Sequence, residues 1–198
     1  MRSRLGIVLA LTALLVLFLD RSGERRMGVA MLQAPPGAWA LKMSSRWPEN
    51  ARLAARLMMD EYGPPQRASS DRLDWEARWP WKRISVDARQ PSRPLEQVVD
   101  YYVPDSKLAE LMRFSHGLAV YSDRGELAAR SDSEELNCLS LNLADDILTG
   151  KKTLAEAARF YDRTLALSAA GKSSPYLRRL RFEVTPAERL RRAEHFTF

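Results

Sequence analysis

The stretch from Ser131 to Gly171 constrains the fold more than any other, because it specifies two consecutive helices with signals at both ends of each. Ser131 and Asp132 are residue types whose side chains cap free N–H groups, and Glu134 and Glu135 put acid where the helix dipole favours it. Leu136, Leu139, Leu143 and Ile147 recur at helical spacing, and Gly150 marks a stop. Thr153 and Glu156 stand in capping-box register, each able to satisfy a backbone N–H of the other's turn. Leu154, Ala158, Tyr161 and Leu165 give the second helix one apolar face, and Gly171 ends it. A helical hairpin follows. Its pattern alone carries no activity.

The other strong feature lies at the N-terminus. Arg2 and Arg4 precede an uncharged apolar run, Leu5 to Leu19. A basic flank followed by such a run is the layout of a secretory signal. Fifteen residues at about 1.5 Å each reach roughly 22 Å, short of the roughly 30 Å hydrocarbon core. Length therefore favours a signal sequence, but the charged run Asp20 to Arg26 stands where a cleavage site needs small residues. Gly28-Val29-Ala30 and Ala38-Trp39-Ala40 are late cleavage boxes, and no cysteine follows the run to carry a lipid. We read residues 1–26 as an uncleaved signal-anchor, with a cleaved periplasmic product as the alternative. Arginines on both flanks leave orientation undecided by the positive-inside rule.

Charge separates the ends from the middle. The chain carries +6 in all, with +5 in residues 1–46 and +4 in residues 172–198, so the remainder is −3. Basic ends suit anionic headgroups or nucleic acid, although charge runs are most often solvated tails. The single cysteine, Cys138, excludes an internal disulfide and reads as a small boundary residue of the first hairpin helix.

Between these features the pattern changes often. Residues 27–46 hold Ala34-Pro35-Pro36-Gly37 and no periodicity, which reads as a linker. Pro48 opens a helix with Leu53, Leu57 and Met58 on one side, and Gly63-Pro64-Pro65 terminates it. Leu73–Trp75 and Trp81–Val86 read as short strands, with Trp79-Pro80 at their turn. Leu95, Val98, Val99 and Tyr102 predict a short helix after Pro94, and a second helix runs from Asp105 or Ser106 towards Tyr121. A hairpin around Asp123-Arg124-Gly125 is the rival reading of 118–129. Leu180, Phe182 and Val184 alternate with Arg179, Arg181 and Glu183, the cleanest strand pattern in the chain, and Thr185-Pro186-Ala187-Glu188 caps a last basic helix.

The expected class is α+β, helix-dominated: a small antiparallel sheet with a helical bundle, plus the N-terminal hydrophobic helix. The globular domain is 47–198. It comprises a helix-plus-hairpin part (47–90), a helical part (91–171), and a returning strand with a basic C-terminal helix (172–198).

Candidate sites are few. Trp75, Trp79, Trp81, Lys82 and Arg83 concentrate aromatic and basic side chains, the composition of a partner surface; the competing reading is that the rings are sheet core. Stacking of single-stranded bases on the same rings is opposed by Asp71, Asp74 and Glu76 close by. Ser115 and His116 are adjacent, so on a helix their side chains diverge and form no dyad. Cys138 with His116 is the other nucleophilic pairing, against which stands an ordinary helical histidine. His116, His195 and Cys138 lack metal-ligand spacing, and Asp145-Asp146 reads as a solvated or capping pair. No phosphate-cradling glycine loop and no nucleophile elbow occurs. We therefore assign no catalytic, cofactor or metal residues from sequence.

Over 48–86, the helix, the Tyr62-Gly63-Pro64-Pro65 break and the tryptophan-bearing strand pair resemble small periplasmic modules of the SmpA/OmlA type. The resemblance implies an envelope address and transfers no functional residue. The expectation is a non-enzymatic protein-interaction module of the bacterial cell envelope, touching the membrane through Leu5 to Leu19. A hydrolase or transferase with a scattered site is the alternative, and a nucleic-acid binder using the basic ends is the third.

Overall fold

The computed structural model describes residues 37–184. The run Leu5–Leu19, the first part of the expected linker, and the helix expected after Thr185, with His195, lie outside the described residues. In chain order the elements are α1 (Ala38–Ser44), α2 (Glu49–Tyr62), β1 (Arg67–Ala68), β2 (Arg72–Arg78), β3 (Trp81–Asp87) and β4 (Leu95–Asp100). Then follow α3 (Asp105–Phe114), β5 (Leu118–Tyr121), β6 (Glu126–Ser131), α4 (Glu134–Leu148), α5 (Leu154–Ala169) and α6 (Pro175–Arg178). The fold is α+β, with one six-stranded antiparallel sheet in the order β1-β2-β3-β4-β6-β5.

The sheet is larger than expected because β4 was disguised. Leu95, Val98 and Val99 fit helical spacing, yet the segment is a central strand paired to β3 and β6. Every residue from Leu95 to Val99 is buried, so both faces of the strand are covered and no alternation survives to be read. The helix expected to run on towards Tyr121 instead stops at Phe114. Ser115, His116 and Gly117 take positive φ values of 61°, 22° and 77°, and the chain turns into the β5–β6 hairpin. Glycine is required at 117, because a Cβ there would strike the carbonyl of Arg130. The rival hairpin reading of 118–129 is the one the structure adopts.

The clean alternation at 180–184 forms no strand. The Asn142 side chain replaces the ladder: its Nδ2 donates to the carbonyls of Tyr176 and Arg179 at 2.9 Å each, and its Oδ1 accepts from the Arg181 N–H at 2.7 Å. The Arg179 carbonyl and the Arg181 N–H, where a strand would begin to pair, are thus already satisfied. The linker reading also changes at its end, where α1 occupies 38–44 and buries Ala40 and Ser44. Two inward residues in a seven-residue helix are too few to show a period.

The other helices lie where their signals put them, with two corrections: α2 turns Ala51, Ala54, Ala55 and Met58 inward and leaves Leu53 and Leu57 outside, and the cap of α4 falls at Ser133 because Ser131 still belongs to β6. Ser133 caps α4 by accepting from Leu136, and Thr153 and Glu156 form the full capping box of α5. Every residue of α4 from Asn137 to Ile147 is buried, since the sheet lies on one side and α3, α5 and α6 pack on the others. Its polar residues therefore need partners. Asn137 donates to the Leu95 carbonyl and the Gln97 side chain, and Ser140 to the His116 carbonyl.

Leu73, Trp75, Ile84 and Val86 share the sheet face on which α2 and α4 lie. The opposite face carries paired charges across neighbouring strands. Arg72 reaches Asp74 and Ser85, Glu96 meets Arg130, and Lys82 lies 2.7 Å from Asp100 and 3.1 Å from Glu126.

Asn142→Ala removes three part-buried hydrogen bonds to backbone. Stability should fall by about 2 kcal/mol, the combined loss of three bonds worth roughly 0.5–1 kcal/mol each, as read by urea unfolding. Tryptic cleavage at Arg178, Arg179 and Arg181 should accelerate.

Candidate functional site

The structure does not bring the five aromatic and basic candidates to one surface. Trp75 and Trp81 are buried in the core beneath α2 and α4. Lys82 and Arg83 belong to the charged face, where both reach Glu126. Trp79 alone stands out, 76% exposed at the tip of the β2–β3 hairpin, with a cis peptide to Pro80. Alternation breaks just before that tip. Glu76 pairs with Arg83 and Arg78 with Trp81, while Ala77 between them takes φ 50°. The register itself is continuous, and beside this left-handed residue Trp81 is buried while Arg83 lies on the charged face with Glu126.

The two buried indoles fasten the hairpin to the helices. Trp75 Nε1 donates to the Gly63 carbonyl at 2.8 Å. Trp81 Nε1 donates to Tyr62 Oη at 3.0 Å and to Glu134 Oε1 at 3.2 Å. The Tyr62 hydroxyl in turn donates to the same Glu134 oxygen at 2.7 Å. Glu134 lies in the first turn of α4, where the helix dipole favours its charge. Burial, and then the Glu134 carboxylate, push the Tyr62 hydroxyl well above the ordinary phenol range.

Glu134 also faces a cleft of about 760 Å³ between α2, the start of α4 and the α5–α6 connection. Its lining includes the acids Glu61, Asp132 and Glu135, the bases Lys172 and Arg178, and apolar surface from Met58 and Leu177. This volume lies in the range of small-ligand sites. Sequence reading missed the cleft because its residues come from three distant stretches, none with a motif of its own.

The remaining candidates are occupied structurally. His116 stacks on Phe114 at 4.2 Å and against Tyr161 at 4.1 Å between ring centroids, and its Nδ1 contacts the Phe114 carbonyl. Cys138 is buried, and desolvation pushes its thiol up to about 12, which suppresses the thiolate that nucleophilic chemistry needs. Asp145 and Asp146 are buried rather than solvated. Tyr101 and Lys151 each bond Asp145 at 2.9 Å; Tyr176 and Lys152 bond Asp146 at 2.7 and 2.6 Å. Among the described residues no group of three or more His, Cys, Asp and Glu is placed to hold a metal, and no helix is long and apolar enough to cross a membrane.

Comparison with known proteins finds no family model, no curated protein and no solved structure that matches the chain.

Tyr62 and Tyr101 both keep their protons to unusually high pH in the fold, through burial first and a carboxylate second for each. In the unfolded chain these phenols ionise near pH 10. Above that pH the unfolded state releases protons that the folded state retains, so stability is full below about pH 10 and declines as pH rises further. Urea midpoints measured across this range should fall, and Tyr62→Phe should flatten part of the slope. Cys138 should react with a thiol reagent only on unfolding.

Proposed function

We propose that the chain is a bacterial envelope protein, held at the cytoplasmic membrane by Leu5–Leu19 as an N-terminal apolar helix, whose α+β body binds a protein partner without catalysis. The observation that carries the binding role is Trp79. A tryptophan three-quarters exposed is the residue type that dominates protein interfaces. Trp75 and Trp81 anchor the strands on either side of it, so the tip is presented with little conformational freedom left to lose on binding. The basic flank and apolar run at the N-terminus support the envelope address, as does the resemblance of 48–86 to SmpA/OmlA-type periplasmic modules.

The alternative of a hydrolase or transferase draws support from the cleft beside Glu134. A nucleic-acid role gains nothing from Lys82 and Arg83, whose charges are already matched by Asp100 and Glu126.

Trp79→Ala should change folding stability by no more than about 0.5 kcal/mol, as at other exposed positions, and abolish capture of the partner by crosslinking in cells. Trp81→Ala should instead cost about 3–5 kcal/mol through the cavity it leaves. Undiminished capture by the Trp79→Ala chain refutes the binding role. An N-terminus found intact in the membrane fraction supports the tether, and one trimmed near Ala30 or Ala40 in the soluble fraction refutes it.

A further inference from the structure

The outer side of α1 and α2 gathers most of the large exposed hydrophobic side chains among the described residues. On α1, Ala40 and Ser44 face inward, while Trp39, Leu41 and Met43 are exposed. On α2, Ala51, Ala54, Ala55 and Met58 face inward, while Leu53 and Leu57, one turn apart, are 55% and 48% exposed. Leu41 and Leu53 line one groove of about 480 Å³ between the two helices. Of the eight large hydrophobic side chains exposed among the described residues, these five fall within positions 39–57. Clustering of this kind marks an interaction surface.

What meets the surface is indicated by the chain that enters it. Residues 20–38 separate Leu19 from Trp39. Nineteen residues reach at most about 65 Å even when fully extended. A body leashed to an inserted Leu5–Leu19 segment cannot move farther than that from the headgroups, and α1 is the described element nearest to the leash in sequence. Its composition suits that place. Tryptophan is favoured at the membrane–water interface, and exposed Lys42, Arg46, Arg52 and Arg56 can reach lipid phosphates beside the leucines. Glu49, Asp60 and Glu61 nearly balance these cations, so apolar insertion rather than net charge drives the contact.

We propose that the outer face of α1 and α2, formed by Trp39, Leu41, Met43, Leu53 and Leu57, is a lipid-contact surface that seats the body on the bilayer. The inference rests on the membrane-held reading above.

The test uses the full chain reconstituted into vesicles of phosphatidylethanolamine and phosphatidylglycerol. A nitrobenzoxadiazole reporter is attached through Leu57→Cys or, in a second preparation, Met112→Cys on α3, which packs beside β5 at the far edge of the sheet. Cys138 is buried and stays unlabelled. The Leu57 reporter should emit to the blue and be quenched several-fold more by spin-labelled lipid than the Met112 reporter. A chain that sediments with vesicles while its Leu57 reporter stays water-like overturns the inference and leaves the tether standing. A blue shift without lipid quenching also overturns it, since protein then shields the reporter, whether a second copy, another protein or the cleft that Leu57 also borders. A chain that fails to sediment overturns the tether and the lipid contact together.

Discussion

A buried indole N–H has to find an acceptor, and two of them organise this molecule. Trp75 reaches the carbonyl that closes α2, and Trp81 reaches the Tyr62–Glu134 pair that joins the end of α2 to the start of α4. Rings of this size bury large apolar areas, but area alone does not fix orientation. The hydrogen bonds do. They set where the β2–β3 hairpin sits under the helices and which way its tip points. Trp79 is exposed because its two neighbours on the hairpin are committed elsewhere.

A second requirement acts along α4. A helix packed on all sides cannot be wholly apolar when other chain segments must end against it, so its polar residues serve as fixed acceptors and donors. Asn137 reads the edge of β4, Ser140 the turn before β5, Asn142 the segment after α6, and Asp145 and Asp146 the tyrosines and lysines around them. Half-satisfied networks of this type are costly, which makes register and connection unique. The helix is both core and template.

Legibility followed from how locally each signal acts. Caps and breaks were readable, because Thr153 with Glu156 and the Gly63-Pro64-Pro65 stop depend on neighbouring residues only. Strand β4 was not, because burial on two faces erases the period by which strands are recognised. The segment 180–184 misled in the other direction: its alternation is real, but at its start the Arg181 N–H is taken by a side chain 39 residues away in sequence. The site divided in the same manner. Composition picked out the tryptophan cluster and could not say which ring would face out, since that depends on how the hairpin packs under α2 and α4. The cleft beside Glu134 was invisible, being assembled by tertiary packing alone.

The ends of the sheet bear on recognition. One edge strand, β1, has two residues, and the other, β5, has four. Exposed backbone at a sheet margin is what an extended foreign peptide pairs with when it joins as an extra strand, and short margins deny it that template. Association through main-chain zippering is therefore poorly served here. Among the described residues, side chains rather than sheet margins offer the contacts, and selectivity built on them can be rewritten by point substitution without disturbing the scaffold.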